Sequence, residues 1–101
     1  MKVISSQKHI NFDIVDQKIE EIKGLDFVTL PIIDTEMTDL DGNDLYILVD
    51  GHHRKEAAAE IGIEIRYEEV KNVHGVTGEA LLDTCYNDSD WYDVETGYLV
   101  W

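Results

Sequence analysis

Residues 45–62 leave this chain little freedom of fold. Leu45-Tyr46-Ile47-Leu48-Val49 is almost wholly apolar, as a strand covered on both faces requires. Asp50-Gly51 then turns the chain. Good helix formers fill residues 52–61, and Gly62 ends that helix as a left-handed cap. Ala57, Ala58 and Ile61 share one face, narrow enough to lie close on a sheet. A buried strand feeding directly into such a helix calls for a sheet with helices packed on it.

The flanking segments supply the rest of that sheet. Residues 2–6 read as a short strand. Asn11 or Asp13 caps a helix over residues 14–23, with Ile14, Val15, Ile19 and Ile22 as its apolar stripe and Gly24 as its end. Residues 27–33 read as a strand in which Pro31 marks an edge position or a strand end. Residues 35–44 are polar, and Asp41-Gly42-Asn43 signals a turn. Residues 63–70 alternate as a strand does, and Thr77 caps a short helix running to Thr84. Tyr98-Leu99-Val100-Trp101 reads as a terminal strand reached through a hairpin near Thr96-Gly97. A chain of 101 residues suits one domain, residues 1–101. The expected class is α+β, a small mixed sheet with packed helices.

Charge limits the partners. Eight Lys and Arg stand against 22 Asp and Glu, a net charge of −14. A duplex-binding surface needs a basic patch that displaces counterions, so direct DNA binding is not expected, and anionic membranes are repelled too. Two readings of the acidity stay open: plain solubility, or an acidic face that binds a basic protein partner or mimics DNA. No apolar run approaches the length of a membrane span, and the first residues lack a secretory pattern. One cysteine, Cys85, excludes an internal disulfide, and a cytoplasmic location is the simplest expectation. His9, His52, His53 and His74 lack the i, i+4 spacing that sets two ligands on one helix face, so no metal site is expected from them. No Cys-His pair can be assembled from spacing alone. Cys85 reads as a small buried residue, and the aromatic tail as strand packing or a partner interface.

The chemistry concentrates at Asp50-Gly51-His52-His53-Arg54. A helix start carries backbone N–H groups without internal partners and a partial positive charge. Gly51 permits a sharp turn and close approach of a ligand to the backbone. His52, His53 and Arg54 fall in the first turn, where Arg54 can grip a phosphate bidentately and either imidazole can donate to it. The plainer alternative is a turn glycine, a capping Asp50 and an Arg54 that pairs with surface acids.

The same stretch, with Gly62-Ile63 closing the helix, resembles the signature of the ParB/sulfiredoxin superfamily. There, a strand ends in a Gly-x-x-Arg turn before an Ala-rich helix. Leu30-Pro31-Ile32-Ile33 resembles the strand that precedes it, and the likeness spans Phe27 to Val70. It implies a ParB/sulfiredoxin-like fold. ParB-type proteins bind cytidine triphosphate with this turn and carry a further DNA-binding domain, for which this chain has no room. Sulfiredoxins place a cysteine where His52 stands. The sequence Asp-Gly-His-His-Arg is most similar to that of ADP-dependent free serine kinases. That likeness implies a nucleotide- or phosphate-binding domain, acting as a phosphotransferase on a small hydroxyl substrate with Mg2+ and a nucleotide. Gly51, His52, His53 and Arg54 would hold phosphate. Asp50 would bind magnesium or orient the hydroxyl, and an upstream acid, among Asp13, Asp16, Glu20 and Glu21, would act as base. The alternative on the same fold is a non-enzymatic acidic interaction protein.

Overall fold

The computed structural model describes residues 1–100. Its elements follow as β1 (Lys2–Ser5), α1 (Phe12–Ile22), β2 (Phe27–Thr38), β3 (Asp44–Leu48), α2 (His52–Ile61), β4 (Glu64–Glu69), α3 (Gly78–Cys85) and β5 (Tyr92–Asp93). The strands form one mixed sheet in the order β4-β2-β3-β1-β5. β1 runs parallel to β3 and β2 parallel to β4, while β2–β3 and β1–β5 are antiparallel. The molecule is therefore a small α+β domain with a five-stranded mixed sheet and three helices.

Strand alternation divides the core between the two faces of the sheet. Val28, Leu30 and Ile32 of β2 share one face with Leu48 and Val3, and α1 and α2 cover its β2–β4 end. Ile33, Leu45, Ile47 and Ile4 point the other way, onto Leu81 and Leu82 of α3 and onto Trp91. Ala57 and Ala58, both fully buried, let α2 lie close against Val15 and Ile22 of α1 and Val28 of β2. Ile61, expected on that face, is 39% exposed. Beyond the left-handed cap at Gly62, Ile63 packs against the cluster instead.

Two readings of β2 are corrected. Pro31 sits inside an internal strand, between β4 and β3, rather than at an edge. It is tolerated because β3 ends beside it. Pro31 accepts the N–H of Val49 at 3.1 Å and has no N–H to return, and the chain leaves the ladder there for Asp50. Residues 35–38, expected in a polar loop, continue the strand through a bulge between Asp34 and Met37, where Glu36 takes a φ of 60°. Thr35 is fully buried at this bulge. Its hydroxyl donates to the Leu45 carbonyl at 2.7 Å and accepts the Met37 N–H at 3.1 Å, closing the gap that the bulge opens in the ladder.

The turn that follows is held by Asp39, whose carboxylate accepts the N–H groups of Asp41 and Asn43 at 2.9 Å each. Lys2 Nζ lies 2.7 Å from the same carboxylate, and this bond, ahead of those from Asn43, holds the Asp39 carboxyl well below the usual range. At the tail, the turn near Gly97 forms as expected, with the Gly97 N–H donating to the Asp93 carbonyl at 2.7 Å. The returning segment makes only an isolated bridge, Leu99 to Tyr92, in place of the expected terminal strand, and Trp101 lies outside the described residues. Trp91 is a core residue, 4% exposed, and not a surface platform. Among the described residues no helix is long and apolar enough to cross a membrane.

Candidate functional site

β1 and β3 run parallel side by side, so their carboxyl ends open on one edge of the sheet. Ligands of open α/β sheets bind beyond that edge. The chain leaves β1 through residues 6–9 and leaves β3 through Asp50-Gly51 into α2. Two cavities lie against these exits. One, of ≈ 160 Å³, is bordered by Gln7, Lys18, Leu30, Pro31 and residues 50–54. The other, of ≈ 190 Å³, is bordered by Ser5, Ser6, Gln7, His74, Cys85, Asn87 and Trp91, and by residues 47–50 and His52. Gln7, Asp50 and His52 border both.

The first cavity is the start of α2. Gly51 takes a left-handed conformation, φ 88° and ψ 21°, and offers the helix no side-chain cap. A Cβ built on it would lie 2.8 Å from Leu30 Cδ2, so the turn needs glycine for both space and dihedral angle. The first helical bond is the Lys55 N–H to the Gly51 carbonyl at 2.7 Å, which leaves the N–H groups of His52, His53 and Arg54 before the ladder begins. The Gly51 N–H is not free. It donates to Oδ1 of its neighbour Asp50 at 2.7 Å. The upstream acids Asp13, Asp16, Glu20 and Glu21 do not border this cleft, and Asp50 is its one carboxylate among the described residues.

The histidines and the arginine are less exposed than a simple first turn implies. His52 is buried, and its Nε2 has no hydrogen-bond partner. Burial first, and the neighbouring His53 second, push its pKa below the ordinary imidazole value, which favours the neutral ring. The His53 ring stands edge-on to it, with centroids 5.6 Å apart. His53 Nε2 accepts the backbone N–H of Asn11 at 3.1 Å, so that nitrogen carries a lone pair and the ring proton sits on Nδ1. Asn11 is the N-cap of α1, its side chain accepting from Asp13 N and Ile14 N. His53 thus ties the two helix starts together. Arg54 is half-buried, with Nε enclosed and unpartnered. Lys18 enters from α1 and pairs with Glu21 at 3.3 Å, so the cleft holds two cations.

The wall between the cavities is pinned from the far end of the chain. The Ser6 carbonyl accepts the N–H groups of Asp88 and Ser89, and the Tyr92 hydroxyl donates to the Gln7 carbonyl at 2.6 Å. Asp88 accepts the backbone N–H groups of Lys8 at 2.7 Å and His9 at 3.2 Å. The Lys8 bond is the main reason its carboxyl titrates below the usual range. In the second cavity Cys85 Sγ lies 3.7 Å from His74 Nε2, a pair that spacing along the chain did not reveal. Burial raises the Cys85 pKa, which keeps it a thiol.

The turn residues 50–54 are therefore brought together, as their contiguity requires. Lys18, Gln7, His74 and Cys85 join them only through the fold. Lys18 alone carried a signal, as a cation of α1 spaced three and four residues from Ile14, Val15 and Ile22 of the buried stripe. Among the described residues no three His, Cys, Asp or Glu side chains cluster as a metal site would need. Comparison with protein-family models, with curated proteins and with solved structures finds no match for this chain.

Proposed function

We propose that the cleft at the start of α2 binds a phosphate group, carried by a nucleotide or another small phosphorylated molecule, on a ParB/sulfiredoxin-like fold. One observation carries this reading. His52 Nε2 and Arg54 Nε are the two buried side-chain nitrogens without a partner among the described residues, and both residues border that cleft. A buried nitrogen left unpaired costs about 1–3 kcal/mol, and more when charged, so two of them on residues that border one cleft support an anion there that completes them once their side chains turn toward it. The N–H groups of residues 52–54 and the cation Lys18 add to the same field. This local arrangement works against a net charge of −14, because fixed donors within hydrogen-bond reach outweigh screened charges a Debye length away.

Asp50 is the group that turns binding into phosphoryl transfer. It borders both cavities, with Oδ1 held by the Gly51 N–H, and its carboxylate can orient an acceptor hydroxyl. Magnesium fits this donor set only jointly with phosphates, since Mg2+ commonly takes one or two carboxylates and fills its shell from phosphate and water. Asp50 would be the protein ligand.

The test is an NMR titration with inorganic phosphate and ADP, with and without magnesium. Shifts should centre on residues 51–54 and Lys18. Arg54→Ala should weaken binding by about 1.5–3 kcal/mol, the scale of a hydrogen bond to a charged group, with unchanged circular dichroism. No shift with either ligand at millimolar concentration refutes the reading and leaves the acidic surface as the place to seek a protein partner.

A further inference from the structure

We infer that β4 is a pairing edge, and that its partner is the β4 of a second copy of this chain, laid antiparallel about a twofold axis at Tyr67. β4 is the outer strand of the sheet, bonded to β2 on one side only. Successive residues of a strand turn their backbone groups to opposite edges. The Val70 N–H donates to the Ile32 carbonyl of β2 at 2.8 Å, so residues 64, 66 and 68 face β2 and residues 65, 67 and 69 face outward. Among the described residues no other backbone group bonds to that outward row. The opposite edge differs, because β5 is two residues long and is itself bridged by Leu99. β4 is therefore the long open edge of this sheet, the kind that templates pairing with another chain.

Charge on an edge strand commonly blocks such pairing. On β4 it selects one register. Outward groups meet outward groups only when the twofold axis passes through a residue and not between two. Centred on Arg66, an antiparallel pair sets Arg66 against itself and Glu64 against Glu68. Centred on Glu68, it sets Glu68 against itself. Centred on Tyr67, it sets Arg66 of each copy against Glu68 of the other, once on either side of the axis. Those Arg–Glu pairs fall between the bonded rungs, where facing side chains stand closest. Both residues are exposed. Arg66 engages Glu64 through Nε at 2.9 Å and lies over the Phe27 ring, 3.7 Å from its centre, which leaves its terminal nitrogens to meet a second carboxylate. No helix covers this face beside β4, since Phe27 and Thr29 of β2 are exposed there too. The net charge of −14 repels two copies at a distance, but a Debye length of about 8 Å at physiological salt screens that repulsion and spares pairs in contact.

Sedimentation equilibrium of the full chain, from about 10 μM to about 1 mM at physiological salt, should show a monomer–dimer equilibrium within that range, the weak class to which an interface one strand wide belongs. Arg66→Glu and Glu68→Arg should each weaken it about tenfold or more, because both cross-strand pairs turn from attractive to repulsive. The two single variants mixed together should associate as the parent does. So should the double variant R66E/E68R, since either arrangement restores opposite charges across the axis. Circular dichroism checks that each variant keeps its fold. The parent alone supplies a second readout. Its amide shifts should change with concentration at Ile65, Tyr67 and Glu69, and far less at Arg66 and Glu68, whose N–H groups already face β2. A chain that stays monomeric at the highest concentration overturns the inference. A dimer that neither single variant weakens, or whose shifts lie away from β4, overturns it by placing the contact on another surface.

Discussion

Replacing Gly51 by alanine separates what the turn owes to backbone conformation from what it owes to space. The substitution forces an L-residue into φ 88°, which costs roughly 1–2 kcal/mol. It also sets a Cβ 2.8 Å from Leu30 Cδ2. Leu30 is fully buried among Val3, Ile32, Leu48 and Val94, so its side chain cannot swing aside without disturbing that cluster, and overpacking of this kind costs about 1–3 kcal/mol. Together the two effects come to about 3 kcal/mol, a large share of the stability of a domain this size. At about 4–8 °C per kcal/mol the melting midpoint should fall by roughly 12–24 °C. Gly62→Ala is the control, because Gly62 has a similar φ of 77° with nothing within 4 Å of its built Cβ. It should lose only the conformational part. Thermal and urea unfolding of both variants give the comparison. In a Leu30→Val background the excess cost at Gly51 should shrink, since the nearest methyl has been withdrawn. Equal costs at Gly51 and Gly62, or no coupling to Leu30, would refute the claim that space as well as dihedral angle demands glycine here.

Thr35→Val keeps the shape and removes the hydroxyl that bridges the bulge, so the Leu45 carbonyl loses a donor and the Met37 N–H an acceptor. Urea unfolding should show a loss of about 1–3 kcal/mol, and an unchanged midpoint would mean that the two strand groups pair without it. The pH dependence at His52 has a definite sign. Burial lowers its pKa on folding, so the unfolded chain binds more protons, and stability should drop as pH falls from about 6.5 toward that lowered value. His52→Asn should flatten this part of the curve between pH values of about 7.5 and 5.5, and a variant as acid-sensitive as the parent would show that His52 is not its source.

The parts of this fold legible in the sequence are those decided within a few residues. α2 spans the residues read as helix, because Gly51 and Gly62 punctuate it and its interior is made of strong formers. α1 takes Asn11, one of the two caps read from the sequence, and begins at Phe12, two residues ahead of the expected start. The misread parts were decided across the sheet. Pro31 looked like an edge signal because its missing N–H weakens a ladder, yet here the partner strand ends at that rung. Thr35 looked like loop chemistry because a buried threonine carries no pattern until a bulge gives its hydroxyl two backbone partners.

The same division governs the site. Contiguous residues 50–54 were bound to lie together, but contiguity says nothing about which of their groups remain available. Once the chain is folded, Asp50 has taken the Gly51 N–H and Asn11 has taken His53 Nε2. The buried nitrogens left without partners are His52 Nε2 and Arg54 Nε, and α1 brings Lys18 to the cleft that both residues border. The two nitrogens are starved of partners by the packing that surrounds them. Two unpaired buried nitrogens on residues that border one cleft are therefore the physical reason to propose the turn as a site and not as an ordinary strand-to-helix connection.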